Sequence, residues 1–287
     1  MDRLKILVTG ASGFLGKAIL AYLEQYDLSI TAVCRKTSFK DLPVQSNLHK
    51  VITTDCLFSK DIEWWKDVLT DINIVIHCAW YVNPKDYLSS PENIKCLYGT
   101  LILAQACIDK KIKYFAGIGT CLEYDFANAE NAITVETPLK PTSVYASAKV
   151  SSFNLLKSLF EESCVTFGWY RIFYLFGEHE KKGRLYPYLK ERLYNNEVAI
   201  LKNAHLIRDY INVDDAAEKI SKNILSLKAG DFNVCSGIGI TIKDFAITVA
   251  KKFNRLHLIK IEVNQSSVIT PLKIVGVCNI KGIINEK

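Results

Sequence analysis

The sequence contains no apolar run approaching the roughly 20 residues that a membrane-spanning helix needs. Asp2, Arg3 and Lys5 crowd the short stretch before the glycine turn at residue 10, which leaves no space for the apolar core of a secretion signal. No two of the nine cysteines form a Cys-x-x-Cys pair, and most, such as Cys78 and Cys107, lie inside apolar runs. An odd, scattered set of this kind excludes a disulfide framework or a zinc site as the organising element and reads as small buried hydrophobes. A reducing cytoplasm is the expected location. Blocks of Lys and Arg are also missing. The formal net charge of +6 is spread over the chain, which excludes a nucleic-acid footprint and implies a mildly basic soluble surface. A basic cleft for an anionic ligand is the alternative. Internal repeats and low-complexity segments are absent.

What is present is a rhythm. At 287 residues the chain can bury one large core, or a core and a small lobe. Near-continuous apolar runs at 5–9, 29–34, 50–53, 73–78, 114–119 and 165–171 read as strands covered on both faces. Helical patterns at 14–26, 62–69, 94–110 and 144–162 lie between them. Such alternation predicts an α/β fold, a doubly wound parallel sheet of the Rossmann type. After residue 172 the rhythm changes. A charged aromatic stretch at 178–192 precedes a short strand at 198–201 and the run Arg208-Asp209-Tyr210-Ile211-Asn212-Val213-Asp214-Asp215. The last four of these read as strand end, turn and N-cap for a helix at 216–227, and Thr241 as the cap of a helix at 242–253. The expected division is a dinucleotide-binding domain at 1–171 and a smaller substrate-binding lobe at 172–287, with the chain free to exchange between them. The lobe should cover the carboxyl ends of the strands, where ligands bind in open α/β sheets.

Gly10-Ala11-Ser12-Gly13-Phe14-Leu15-Gly16 directly follows the first strand and opens the first helix. That context turns a weak glycine motif into a dinucleotide phosphate site. Gly10 permits the tight turn, Gly13 removes a side chain from the path of a pyrophosphate, and Gly16 lets helix and strand approach. Backbone N–H groups near Phe14 and Leu15 then face the phosphates at the positive end of the helix dipole. The second strand ends in Cys34-Arg35-Lys36, where an acid would accept the adenine ribose hydroxyls. Two cations there favour the 2′-phosphate of NADP(H) over NAD(H), with a solvated turn as the bland reading.

Tyr-x-x-x-Lys occurs three times, at Tyr81/Lys85, Tyr145/Lys149 and Tyr186/Lys190. The first reads as a loop containing Pro84, and the last lies beyond the sheet around Pro187. Tyr145 and Lys149 open a long helix and share one of its faces. Lys149 is expected to lower the phenol from its usual value near 10. Thr120, at the end of a strand, is placed to bond the same substrate oxygen. Hydride transfer with proton transfer is the chemistry this trio fits.

Together these residues resemble the extended short-chain dehydrogenase/reductases, in their nucleotide-sugar branch, over nearly the whole chain. The resemblance implies that Asp55 and Cys56 meet the adenine, that His77-Cys78-Ala79-Trp80 closes the fourth strand beside the cofactor, and that Arg208 grips the substrate diphosphate. It also implies that Tyr145, Lys149 and Thr120 are catalytic, with Tyr145 and Lys149 touching the cofactor and Tyr145 and Thr120 the substrate. Gly99-Thr100 lies in the family's central helix, with Cys96 where an Asn is usual. Dimerisation through 94–110 and 144–162 follows the same analogy. Tyr174 replaces an Asn often used for the substrate phosphate, and a usual final helix is missing before Lys287.

The departures narrow the reaction. Family 4,6-dehydratases carry an Asp-Glu pair after the Thr; here it is Cys121-Leu122. Epimerase-reductases acting at C3 and C5 use a Cys two positions before the motif tyrosine and a His. Here Cys121 is three before Tyr124, and Arg184 follows Gly183. NADPH-dependent reduction of the C4 carbonyl of a nucleotide-linked, dTDP-type 4-keto-6-deoxyhexose remains. A 4-epimerase using the same trio is the rival enzyme, and a cofactor-sensing regulator the rival of another class.

Overall fold

The computed structural model describes residues 3–127, 131–262 and 271–280. The six apolar runs form strands with small shifts at their ends. In order come β1 (Leu4–Thr9), α1 (Phe14–Leu23), β2 (Leu28–Arg35), β3 (Leu48–Thr54), α2 (Ile62–Val68), β4 (Ile74–His77), α3 (Glu92–Asp109), β5 (Tyr114–Thr120), α4 (Val144–Glu161) and β6 (Thr166–Ile172). The elements then shorten: β7 (Tyr174–Phe176), α5 (Leu185–Tyr194), β8 (Ala199–Leu201), β9 (Ile207–Asn212), α6 (Val213–Leu225), β10 (Gly230–Val234), β11 (Gly239–Thr241), α7 (Ile242–Lys252), β12 (Ile259–Ile261) and β13 (Lys273–Ile274).

Seven strands form one parallel sheet in the order β10-β6-β5-β4-β1-β2-β3. Ile6, Leu7, Val8, Ile74, Val75 and Ile76 are fully buried. Leu7 and Val75 face the layer that includes Trp65, Leu103 and Leu156, whereas Ile6, Val8, Ile74 and Ile76 face the layer of α1 and α6. A sheet covered on both sides has no polar face, which is why its strands read as continuous apolar runs. The doubly wound fold is thus the one expected. The chain builds outward from β1 to β3, then restarts beside β1 with β4. That reversal opens a crevice at the carboxyl ends of β1 and β4.

After residue 172 the chain divides its time. α6 packs against α1, and β10 pairs with β6 at the edge of the large sheet. The outer lobe is built from β9, paired with β7, β11 and β13, and from β8 with β12. Leu189, Leu193, Phe245, Ala246 and Val249 form its core. The start of α6 corrects the expected turn at 212–215. The helix begins at Val213, and Asn212 is the cap, its Oδ1 accepting the Asp214 N–H at 2.8 Å. Val213 is buried in the sheet core, so strand passes into helix with no intervening turn, and Asp214 and Asp215 fall in the first turn, where the dipole favours them. Thr241 caps α7 as expected, accepting the Asp244 N–H at 2.9 Å. The end of the chain, where a final helix was expected to be missing, lies outside the described residues. Among the described residues no helix is long and apolar enough to cross a membrane.

Candidate active site

The glycine turn is built by close approach. Gly10 has φ +66°, and a Cβ there would lie 2.7 Å from the Ala79 nitrogen across the β1–β4 crevice. A Cβ on Gly16 would press into the Gly10 carbonyl oxygen. Gly13 caps α1 with no side-chain bond, so the amides of the first helical turn point into the crevice without a side-chain cap. Backbone bonds hold the turn: Gly13 N–H to Gly10 O at 2.8 Å, and Gly10 N–H to Val33 O at 3.1 Å. Ser12, Phe14 and Leu15 lie within this turn, and the Ser12 hydroxyl bonds that of Ser38 at 2.9 Å. The cradle fits a dinucleotide pyrophosphate.

A buried polar chain, unforeseen in the sequence, locks the crevice. Thr100 Oγ1 donates to Cys96 O at 2.8 Å, so its one hydrogen is used and it accepts from His77 Nε2 at 2.9 Å. His77 Nδ1 therefore accepts from Thr9 Oγ1 at 2.8 Å, and Thr9 Oγ1 accepts the Ala79 N–H at 3.4 Å. The imidazole is neutral: burial, with Lys149 nearby, lowers it to about 3. β1, β4 and α3 are stapled by this one side chain. His77 is structural, and Ala79 is held against Gly10.

At the ribose end Arg35 is exposed at the end of β2. Lys36 pairs with Asp55 at 3.2 Å, both side chains being well exposed. Of the two cations, Lys36 therefore has a carboxylate neighbour, whereas Arg35 stands at the exposed strand end. Asp55 and Cys56 follow β3, close to the 3-10 turn Leu57–Ser59. Gly99 of α3 packs on that turn, with no space for a Cβ.

Thr120, Tyr145 and Lys149 come together between β5 and the start of α4. All three are buried. Ser143 caps α4, accepting the Ala146 N–H at 3.2 Å, and the Tyr145 N–H bonds Leu88 O at 3.1 Å. The Tyr145 ring meets Tyr87 edge-on at 5.1 Å and Trp80 at 6.5 Å. Burial pushes the phenol above its ordinary value, and Tyr87 and Glu123 push the same way; Thr120 acts as a hydrogen-bond partner in the opposite direction. The direction is opposite to the expected lowering, because burial outweighs every other influence on the phenol, and Lys149 is engaged elsewhere. Its Nζ donates to Ile118 O at 2.7 Å and stands 3.6 Å over the Trp80 ring. Burial lowers the ammonium to about 7, against the pull of Glu123. Trp80 is itself fixed by a bond from Nε1 to Asn93 at 2.8 Å. The other two Tyr/Lys pairs are bound up differently: Tyr81 bonds Asp86, and Lys190 pairs with Glu178.

No role was expected for Glu123. It is fully buried, bonded by the Thr120 N–H, the Trp169 indole and the Arg171 guanidinium. The available signal was Arg171, a charge inside an apolar strand run, which demands a buried partner.

Arg208 lies on β9 and is 5% exposed. Its Nη1 bonds the carbonyls of Ile207, Pro271 and Leu272, and its guanidinium lies 5.6 Å from the Tyr174 ring centre. Asp209 accepts from Ser236, Gly237 and Gly276. Arg184, before α5, stands 4.9 Å over the Tyr87 ring, one ring removed from Tyr145. The lobe therefore brings a cation near Tyr145.

A family profile described as the NAD dependent epimerase/dehydratase family matches residues 6–235. Among curated relatives, the dTDP-6-deoxy-L-talose 4-dehydrogenase (NAD(+)) of Aggregatibacter actinomycetemcomitans is 23% identical over 90% of this chain and 93% of that protein. The dTDP-4-dehydro-6-deoxyglucose reductase of Escherichia coli is 24% identical over 93% of this chain and 89% of that protein. Among solved structures, the UDP-N-acetylglucosamine 4-epimerase of Methanobrevibacter ruminantium M1, in complex with UDP-N-acetylmuramic acid, superposes with TM-score 0.85 at 22% identity. It covers 97% of this chain and 91% of that one, and shares the fold. The profile spans the sheet from β1 to β10, and with it the glycine turn, the β1–β4 crevice and the Tyr145/Lys149 helix: the chain belongs to the NAD dependent epimerase/dehydratase family, within the extended short-chain dehydrogenase/reductases, and is an NAD(P)-dependent enzyme of the oxidoreductase type.

Proposed function

We propose that the enzyme reduces the C4 carbonyl of a nucleotide-linked 4-keto-6-deoxyhexose, dTDP-linked, using NADPH. The observation that carries this reading is the pair of residues after Thr120. Cys121 is buried and its thiol is pushed up to about 12, chiefly by burial, so it stays protonated. Leu122 has no proton to give. Beside an intact Thr120/Tyr145 pair these two residues supply no acid and base for elimination, which leaves hydride transfer at C4, the step a reductase and a 4-epimerase share. The two relatives above, named for 4-position redox chemistry on dTDP-6-deoxyhexoses, support it.

The residues divide the work. The amides at Ser12, Phe14 and Leu15 would hold the cofactor pyrophosphate, Asp55 and Cys56 the adenine, Ala79 the adjoining wall, and Arg35 the 2′-phosphate. Bound NADPH supplies the hydride. Tyr145, kept protonated by burial, donates its proton to the developing C4 alkoxide, where charge appears. Thr120 orients that oxygen. Lys149, on leaving Ile118 O, would bond the nicotinamide ribose and stabilise the phenolate. Arg208 would meet the substrate diphosphate from the lobe. A dimer would use α3 and α4, where Ile94, Tyr98 and Leu155 are exposed. A cytoplasmic location belongs to the same reading.

Purified protein with NADPH and dTDP-4-keto-6-deoxyglucose tests it. The expected result is one cofactor oxidised for each reduced sugar nucleotide formed. Tightly retained NAD+ with interconversion of 4-epimers and no net oxidation would assign a 4-epimerase. No turnover with any sugar nucleotide would leave a cofactor-sensing regulator.

A further inference from the structure

We propose that Glu123 is a positioning residue: its buried carboxylate, held by Arg171 and Trp169, fixes the Thr120 backbone and thereby aims the Thr120 hydroxyl. This inference rests on Thr120 acting at the substrate oxygen. Glu123 Oε1 accepts the Thr120 N–H at 2.8 Å, while Thr120 Oγ1 accepts the Leu122 N–H at 3.3 Å. The bond from the Thr120 N–H, with one from the Glu123 N–H back to the Thr120 side chain, forms a reciprocal capping box around the 3-10 turn Cys121–Glu123. An ordinary capping box sits at the surface and needs no counter-ion. This one is sealed inside the protein.

The remaining carboxylate bonds are all spoken for. Oε2 accepts Arg171 Nε at 2.7 Å and Trp169 Nε1 at 3.1 Å. Arg171 is in turn braced: Nη1 reaches Asp231 at 3.3 Å and Tyr124 at 3.4 Å, and the guanidinium lies 4.4 Å from the Phe153 ring centre on α4. Tyr124 donates to Asn233 Oδ1 at 2.7 Å, and Asn233 Nδ2 donates to Ile133 O and Val277 O. β5, α4, β6, β10 and the segment at 271–280 thus converge on one carboxylate. Gly119 completes the fit, because a Cβ there would lie 2.6 Å from Glu123 Oε1 and press on the Trp169 indole nitrogen.

Burying this ion pair is not a route to stability. Well-packed apolar residues in its place are commonly neutral or stabilising, whereas removal of one partner alone is costly. What an apolar pair could not do is accept the Thr120 N–H. The arrangement therefore makes sense as a clamp on the residue that must meet the carbonyl oxygen, since small misplacements of such groups cost rate.

The test compares two double variants. E123Q/R171M and E123L/R171M both remove the charge pair, so neither strands a buried charge; only the glutamine keeps an oxygen for Thr120. The two should melt at similar temperatures. Hydrogen exchange of the Thr120 amide, read by NMR, should be faster in the leucine protein by about tenfold or more, the scale of a lost hydrogen bond to a buried acceptor. With NADPH and the keto sugar, kcat should fall by about tenfold in the leucine protein relative to the glutamine protein, with KM for NADPH unchanged. Equal amide exchange, or equal kcat, in the two would overturn the proposal. If the leucine protein does not fold, E123Q alone decides: Arg171 keeps Asp231, and kcat should stay within about threefold of wild type, whereas a loss beyond about a hundredfold would overturn it. If wild type turns over no sugar nucleotide, the reductase reading falls, and the exchange comparison still judges the clamp.

Discussion

At the β1–β4 crevice the groups proposed to work are backbone amides, and seven consecutive residues supply most of the geometry. Between β5 and α4 the working groups are side chains, aimed by residues far away in sequence: Ile118 and Trp80 for Lys149, Tyr87 for Tyr145, Arg171 and Trp169 through Glu123 for Thr120. The two regions should therefore fail differently. The crevice tolerates no added atom but asks little of side-chain chemistry. The proton-handling end tolerates a changed atom while keeping its fold, and loses chemistry instead.

Gly16→Val should show the largest effect. Its Cβ has no space beside the Gly10 carbonyl, so strand and helix must part. Overpacking of this kind costs about 3 kcal/mol. A thermal melt should show the drop, and a fluorescence titration the loss of cofactor binding. Undiminished cofactor affinity would break the claim that close approach builds the crevice. Tyr145→Phe comes next. It keeps the ring contacts with Tyr87 and Trp80 and removes the proton, so turnover should fall by about 10²-fold with cofactor affinity and melting temperature nearly unchanged. Near-normal turnover would remove Tyr145 from the mechanism.

Arg208→Ala probes the junction with the lobe. The Michaelis constant for the sugar nucleotide should rise by roughly ten- to a hundredfold, matching a charge-assisted pair to phosphate. NADPH affinity should hold, because its phosphates belong at the Gly10 turn. The melting temperature should also fall, since three backbone carbonyls lose a donor. An unchanged Michaelis constant with lower stability would make Arg208 a structural brace only. Arg35→Asp should be the mildest change. With Lys36 already paired, one exposed cation carries the preference, and its reversal should weaken NADPH by about tenfold and favour NADH. A wild type that binds NADH better than NADPH would contradict this use of Arg35.

The contrast also explains what the sequence reveals. Strands buried on both faces announce themselves as apolar runs, and a backbone-built turn announces itself by glycine spacing, so the doubly wound parallel sheet and the glycine turn were legible, whereas the strand order was not. Tyr145 and Lys149 were legible as an i, i+4 pair on a capped helix. The direction of Lys149 was not, because its acceptor is a main-chain oxygen 31 positions away and its other neighbour an indole face, neither of which spacing encodes. Arg171 was swept into an apolar strand run, so its demand for Glu123 went unread. The burial of Arg208 depends on the carbonyls at Pro271 and Leu272, which arrive only with the tertiary fold. The Asn212 cap shows the same limit at short range: three capping-competent residues, Asn212, Asp214 and Asp215, flank Val213, and only the burial of Val213 selects among them.

The most direct test of the central claim is the fate of the hydride. NADPH carrying deuterium at the transferable position of the nicotinamide should leave that deuterium on C4 of the product sugar, seen by NMR of the dTDP-6-deoxyhexose, and Tyr145→Phe should slow its appearance by about 10²-fold. A sugar nucleotide that changes configuration at C4 with no deuterium acquired, or that is recovered unchanged, would contradict the account.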